Sequence, residues 1–340
     1  MELYNKLSKK ERIKLIKKAG ENRFTLSFYK YHSIKNLEIF RNFLFIELTK
    51  LDTLGRIYVA KEGINAQLSL PSKNIDKLKS VIDDIYFLNN IRLNIAVEHD
   101  NESFLKLKIK IRDKIVADGL SNSDYDLKKN GQHLNAKQFN KLLEHEKTIT
   151  IDMRNHYESE IGHFKGAELP DVDTFRESLP IINKKYKEHK VKKNILMYCT
   201  GGIRCEKASA FLIKNGYKNV YQLEGGIIEY TRQIKKYNIE NKFVGKNFVF
   251  DNRRAEKISD QIISFCHQCG EKCDNHVNCN NEACHLLFLQ CEICCKKYSG
   301  CCSSDCKEIY ELPIEEQKQL RKGKRNSNKI FKKGRFIQKV

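Results

Sequence analysis

Period-two alternation and helical spacing divide the chain into four stretches of different texture. Over about residues 1–120, short runs rich in β-branched and aromatic residues recur. Phe24–Tyr31, Arg56–Ala60 and Ile64–Leu70 read as strands, the last two joined by a turn at Glu62-Gly63. Asn74–Ile85 places Ile75, Leu78, Val81, Ile82 and Ile85 at helical spacing. Ile91–Val97 and Phe104–Ile111 read as extended. The alternation is cleanest in the last of these: Leu105, Leu107, Ile109 and Ile111 take one face, Lys106, Lys108, Lys110 and Arg112 the other. Such a basic face fits either a solvated sheet surface or a strand that tracks a phosphate backbone.

The order βαββαβ predicts a ferredoxin-like α+β unit over residues 1–125, a candidate RNA contact. Residues 130–242 alternate strands with helices and predict an α/β domain with a parallel sheet. Thr148–Met153, Asn194–Cys199 and Val220–Leu223 are its strands. Glu206–Asn215 is a helix that Gly216 closes, and a further helix follows Glu224-Gly225-Gly226 from about Ile227. Residues 246–310 are cysteine-rich with few long apolar runs. Residues 311–340 read as a basic, disordered tail. The whole is a multidomain α+β and α/β chain.

Composition sharpens this division. The 340 residues are 40% hydrophobic, which supports packed cores and excludes wholesale disorder. No apolar run is long enough to span a membrane, and the first twenty residues lack the apolar stretch of a secretory signal, so a cytoplasmic protein is expected. Lys and Arg number 63 against 43 Asp and Glu, a net charge of +20; ten of these cations fall between Gln317 and Val340, where there is no acid. That tail is either a solvated end or a nucleic-acid arm. Eleven of thirteen cysteines lie between Cys266 and Cys306. In a chain expected to be cytosolic, such clustering points to metal or catalysis rather than to a disulfide framework.

The two remaining cysteines mark the most informative segment, Tyr198-Cys199-Thr200-Gly201-Gly202-Ile203-Arg204-Cys205. An apolar strand ends at Cys199, a loop containing Gly201 and Gly202 follows, and Arg204 opens a helix. Successive backbone N–H groups and the positive end of a helix then converge where a thiolate, persulfide or oxyanion at Cys199 would be stabilised. Arg204 adds a fixed charge, directed either to a substrate or to the loop itself. Cys205 is either an ordinary first-turn residue or a thiol that resolves an oxidised Cys199. The Cys-x4-Arg spacing resembles the rhodanese loop, sized for sulfur carried on the cysteine, rather than the longer loop of cysteine phosphatases. Asp152-Met153-Arg154, Glu158, Gly162-His163, Gly166-Ala167 and Leu223-Glu224-Gly225-Gly226 reproduce further rhodanese motifs. Asp152 and Arg154 are expected to form a structural ion pair behind the loop.

In the cysteine-rich segment, Cys266-x2-Cys269 and Cys291-x2-Cys294 are two metal knuckles separated by 21 residues, suited to one tetrahedral zinc. Cys273, Cys279, Cys284, Cys301 and Cys306 are candidates for a second ion. Cys295 and Cys302, each beside another cysteine, are the weaker candidates. Spacing alone does not sort the ligands into sets, nor does it exclude an iron–sulfur cluster or free thiols. One or two structural zinc ions are expected to supply much of the folding energy here.

The three-part order resembles one family. Phe28-Tyr29-Lys30-Tyr31 and Glu62-Gly63-Ile64-Asn65-Ala66-Gln67 precede the rhodanese motifs, and Gly245-Lys246-Asn247-Phe248-Val249-Phe250-Asp251 and the cysteine segment follow. Together they resemble the bacterial rhodanese-domain tRNA uridine hydroxylases. The resemblance implies 5-hydroxylation of the wobble uridine with dioxygen as co-substrate, Cys199 acting through a persulfide, and the tRNA anticodon region and a sulfur donor protein as partners. The sequence carries no flavin or nicotinamide fingerprint. A rhodanese-type sulfurtransferase carrying sulfur on Cys199 is the main alternative, and a non-catalytic regulator the other. For RNA contact the candidates are Lys106, Lys108, Lys110 and Arg112 for phosphates, and Tyr29 and Tyr31 for stacking.

Overall fold

The computed structural model describes residues 7–323 and 330–331. A first helix, α1 (Lys9–Ala19), is opened by a capping box between Ser8 and Glu11 and closed by Gly20. The N-terminal unit then runs β1 (Arg23–Tyr31), α2 (Leu37–Lys50), β2 (Leu54–Ala60), β3 (Gly63–Pro71), α3 (Ile75–Asp83), β4 (Asn94–Ile95) and β5 (Leu107–Ile111). Its sheet has the order β4-β1-β3-β2-β5, antiparallel except where β5 joins β2 in parallel. The first four strands form the expected ferredoxin-like unit, and β5 extends it at one edge.

Alternation gives this sheet two faces. Leu26, Phe28, Ile57, Val59, Ala66, Leu68, Leu107 and Ile109 bury against Leu44, Leu48, Leu78 and Ile82 of α2 and α3. The opposite face carries Tyr29, Arg56, Tyr58, Asn65 and Gln67 and is turned towards the second domain. Helices α2 and α3 pack on the other side of the sheet.

The second domain follows as β6 (Gln132–Leu134), α4 (Ala136–Leu143), β7 (Thr148–Asp152), α5 (His156–Ser159), β8 (Gly162–Phe164), α6 (Phe175–Lys185), β9 (Asn194–Tyr198), α7 (Ile203–Lys214), β10 (Val220–Leu223) and α8 (Gly226–Tyr237). Its parallel sheet has the order β6-β10-β9-β7. The strands are apolar on both faces, as burial between helices demands: Ile195, Leu196, Met197 and Tyr198 are all at most 1% exposed. β9 lies inside the sheet and delivers Cys199 at its carboxyl end.

β11 (Phe243–Phe248) pairs with β8 and with β12 (Ala255–Lys257), tying the C-terminal region to the second domain. The cysteine-rich unit adds β13 (His276–Asn278), β14 (Leu287–Leu289), α9 (Glu292–Lys297) and α10 (Ser304–Glu311). The segment expected to be a disordered tail begins instead with a helix, α11 (Ile314–Arg321), in which Pro313 precedes the first turn and Glu315 and Glu316 favour the helix N-terminus. Farther on, Ile330 bridges to Leu287, and the Phe331 ring stacks on His267 at 3.9 Å. The rest of the basic tail, 324–329 and 332–340, lies outside the described residues.

Candidate active site and metal centres

Cys199 is buried, 1% exposed, where β9 gives way to the loop. Its Sγ accepts a hydrogen bond from the Gly202 N–H at 3.1 Å. Burial alone would push the thiol up. The Cys205 thiol, the Arg204 charge and the N–H groups of Arg204 and Cys205 outweigh it and bring the pKa down to about 6. Cys205, equally buried and facing the Cys199 sulfur, is pushed well above the ordinary thiol range, first by burial and then by that neighbour. One thiol of the pair is therefore held as a thiolate and the other as its neutral donor.

The loop is braced from several sides. Arg204 does not reach out to a substrate; it forms a bidentate pair with the buried Glu158 at 2.7 and 2.8 Å. The Asp152–Arg154 pair is fully buried behind the loop, as expected, and Arg154 also donates to the Gly162 carbonyl at 2.6 Å. Helix α8 points its first N–H groups at the loop carbonyls, Ile227 to Cys199 at 3.0 Å and Ile228 to Thr200 at 3.2 Å. Gly226 makes this approach feasible, since a Cβ there would lie 2.5 Å from the Cys199 carbonyl oxygen. Gly202, at φ +97°, is left-handed, and a Cβ on it would meet the Tyr29 hydroxyl at 2.8 Å.

That last contact shows how the N-terminal unit closes on the loop. The Tyr29 hydroxyl donates to Glu206 at 3.2 Å and the Tyr31 hydroxyl to the Ile203 carbonyl at 3.1 Å. Asn94 of β4 donates to the Gly201 carbonyl at 3.4 Å. The Lys207 ammonium, fully buried one turn into α7, pairs with Glu62 at 2.7 Å and with Asp118. It lies over the rings of Tyr31 and Tyr125 at 5.6 and 5.1 Å. The helix that begins at the active loop is thus ion-paired to the unit before it. Sequence reasoning missed Lys207 because a lysine beside Glu206 reads as a solvated helix face.

Between the polar sheet face and the loop lies a cavity of about 710 Å³, lined by Arg56, Tyr58, Gln67 and Arg112 on one side and by Cys199 and Arg204 on the other. Tyr29, Asn94 and Gly201 separate it from a second cavity of about 730 Å³ that Tyr31, His133 and Glu206 line. Of the expected phosphate contacts, Arg112 reaches the first cavity. Lys108 and Lys110 are exposed on the edge strand, and Lys106 is half-buried just before it. Phe28 belongs to the core, whereas Tyr29 and Tyr31 are half-buried at the cavities. Arg56 and Tyr58 were visible in the sequence only as the polar positions of an alternating strand.

The cysteine-rich unit gathers two quartets, Cys266, Cys269, Cys291 and Cys294, and Cys279, Cys284, Cys302 and Cys306, each with its four Sγ atoms within 4.8 Å of one another. The Sγ–Sγ distances of Cys269–Cys291, 3.6 Å, and Cys284–Cys302, 3.7 Å, are close to the roughly 3.8 Å expected of thiolates about 2.3 Å from a tetrahedral zinc. Backbone N–H groups of Cys291 and Cys302 point at the Cys266 and Cys279 sulfurs, both at 3.4 Å, as outer-shell donors to thiolates do. The donor set fits zinc. Three cysteines differ from the sequence reading. Cys302, ranked below its neighbour, stands in the second quartet, while Cys301 turns into the core, 0% exposed, with its thiol towards the Ser299 carbonyl. Adjacent side chains diverge, so only one of the two can face the metal position. Cys273 also lies outside both quartets, its sulfur accepting from the Asn275 N–H at 3.5 Å.

Three family models match along the chain: an acylphosphatase-like domain named UPF0176 over residues 23–115, a rhodanese-like domain over 135–233, and a rhodanese C-terminal family over 244–307. A tRNA uridine(34) hydroxylase of Photorhabdus laumondii is 51% identical over 334 residues, covering 98% of this chain and 95% of the relative. One from Leptospira interrogans is 50% identical, covering 99% and 92%. A third, from Pectobacterium carotovorum, is 50% identical, covering 98% and 94%. With the loop, the cavity and the quartets all lying inside these full-length matches, the chain belongs to the tRNA uridine(34) hydroxylase family.

Proposed function

We propose that this chain adds a hydroxyl group to carbon 5 of the wobble uridine of tRNA, with dioxygen as co-substrate and Cys199 as the nucleophile, as thiolate or as persulfide. The observation that carries the reading is Cys199 itself, a buried cysteine with a pKa of about 6 that lines a cavity large enough for a nucleobase, under a polar sheet face. The relatives support hydroxylation of uridine 34 of tRNA, since they are named for it.

The chemistry follows from what the loop favours. A thiolate or persulfide at Cys199 adds to carbon 6 of the uracil ring, which places electron density on carbon 5. Carbon 5 then bonds to oxygen, loses its proton, and expulsion of the sulfur restores the ring. One atom of dioxygen enters the product, and an external two-electron donor reduces the other to water. The N–H groups of Gly202, Arg204 and Cys205 hold the negative sulfur before addition and after expulsion. Arg204 supplies its charge from a fixed position, because Glu158 holds it.

The two cysteine quartets would hold zinc as closed, structural sites, and they supply no step of the reaction. The anticodon region of tRNA is the macromolecular substrate, and a persulfide at Cys199 would be loaded by a sulfur donor protein. Among the described residues no helix is long and apolar enough to cross a membrane. A tRNA substrate supports a cytoplasmic location.

Purified protein turned over on an anticodon stem-loop under heavy-isotope dioxygen tests the reading. The expected product carries one heavy oxygen on uridine 34, and none forms with Cys199→Ala. A product that instead contains sulfur in place of a carbonyl oxygen, separable by accurate mass, would replace this reading with a sulfurtransferase.

A further inference from the structure

The strand register sets the polar face of the N-terminal sheet in rows. Gln67, Arg56 and its neighbour on β5 form one row; Tyr29, Asn65 and Tyr58 form the next. Tyr29 touches the catalytic loop. At about 4.8 Å per strand, Tyr58 lies two strands away, roughly 10 Å across the same face. That is within reach of the nucleotide next to a base seated at Cys199.

Two side chains there lack the partners that their chemistry asks for. Arg56 is half-buried and lines the cavity that Cys199 also lines. Among the described residues its guanidinium has neither a carboxylate nor a hydrogen-bond partner. Three deeply buried arginine side chains around the loop and cavity are each paired with an acid: Arg154 with Asp152, Arg204 with Glu158, Arg253 with Asp251. A guanidinium partly withdrawn from water and left unpaired calls for an anion, and its planar fork suits a phosphate. Tyr58 is half-buried in the same cavity, with the Arg112 guanidinium 5.8 Å from its ring centroid. An aromatic ring with a guanidinium over its face, inside a cavity, is a platform on which an unpaired base can stack.

We propose that the polar face of the N-terminal sheet is a second nucleotide site: Tyr58 and Arg112 stack the base adjacent to the target uridine, and Arg56 binds its phosphate. The proposal rests on the hydroxylase reading and specifies how that site takes single-stranded RNA. It gives the open sheet face a role distinct from chemistry at Cys199, and it accounts for a cavity that extends well beyond the loop. Seating two consecutive nucleotides requires them to be unstacked from each other, so the site selects a loop over a duplex.

Binding of a labelled anticodon stem-loop by fluorescence anisotropy, across a salt series, tests it on the full chain. Arg56→Gln is expected to weaken binding and to reduce the slope of log affinity against log salt by about 0.7, the share of one single-strand phosphate. Tyr58→Leu is expected to weaken binding roughly ten- to a hundredfold with the slope unchanged, and Tyr58→Phe to restore it. Both variants are expected to raise KM in turnover more than they lower kcat. Should Tyr58→Leu fail to fold, the salt slope of Arg56→Gln decides, since Arg56 has no partner to lose among the described residues. Wild-type affinity and slope in Arg56→Gln, in a preparation whose wild type binds and hydroxylates the RNA, would overturn the proposal and leave the functional reading standing. A wild type that neither binds nor hydroxylates it would overturn the functional reading instead.

Discussion

Replacing Cys205 by alanine removes the hydrogen-bond donor that lowers the Cys199 pKa most, without removing any charged group. Burial, which works against the thiolate, stays in place; the Arg204 charge and the loop N–H groups remain to oppose it. A hydrogen bond to a charged group contributes roughly 1.5–3 kcal/mol. A thiol is a weak donor, so the lower end applies. At about 1.4 kcal/mol per pH unit, the Cys199 midpoint moves up from about 6 to roughly 7. At pH 6 the thiolate fraction then falls from about one half to about one tenth, a fivefold loss, while at pH 8 it changes little. The assay is the rate of alkylation of Cys199 by iodoacetamide against pH, after reduction to remove any persulfide, read by peptide mass spectrometry so that the other cysteines do not interfere. The sign is fixed by the direction of the shift. A depressed thiol pKa means that reactivity is present above the midpoint and is lost as pH falls through it. Superimposable wild-type and variant profiles would refute the role given to Cys205. A wild-type midpoint in the ordinary thiol range of about 8.5 would refute the activation itself.

Three further outcomes are expected. Glu158→Gln leaves the buried Arg204 guanidinium without a countercharge, so chemical denaturation is expected to show a loss of about 3–5 kcal/mol; unchanged stability would contradict the bracing role. Gly202→Ala forces a side chain onto a left-handed position and against the Tyr29 hydroxyl, and is expected to cost at least about 1 kcal/mol in thermal unfolding, with kcat lowered; a wild-type melting curve would contradict it. Native mass spectrometry of the zinc-loaded chain is expected to show two ions, with Cys302→Ser losing one and Cys301→Ser retaining both; the reverse outcome would overturn the assignment of the second quartet.

The parts of the site that were legible in the sequence are those that short-range spacing encodes. The Cys199–Arg204 interval, the paired glycines and a preceding apolar run define the loop, because backbone geometry there depends on neighbours. The alternation of Leu107 and Ile109 with Lys108 and Lys110 gave a strand with the correct faces. It did not say that this strand would pair in parallel with β2 at the sheet edge. Nor could the strand reading of Arg56–Ala60 tell what covers its polar face, so Arg56 and Tyr58 did not stand out as a cavity wall. The choice between Cys301 and Cys302 turns on which of two adjacent side chains faces inward, which depends on a chain turn rather than on a count of residues. The α11 helix was obscured by a basic composition whose acidic first turn, Glu315 and Glu316, carries the helix signal. Lys207, Glu62 and Asp118 meet from distant segments, and only the assembled fold brings them together.

In the proposed function, Cys199 in this loop makes 5-hydroxyuridine in tRNA. Accurate-mass nucleoside analysis of bulk tRNA tests it most directly, comparing cells with the wild-type protein, with Cys199→Ala, and with neither. 5-Hydroxyuridine or its derivatives are expected with the wild type alone. Their presence at wild-type levels with Cys199→Ala would contradict it, and a Cys199-dependent thiolated nucleoside in their place would move the chain to sulfur transfer.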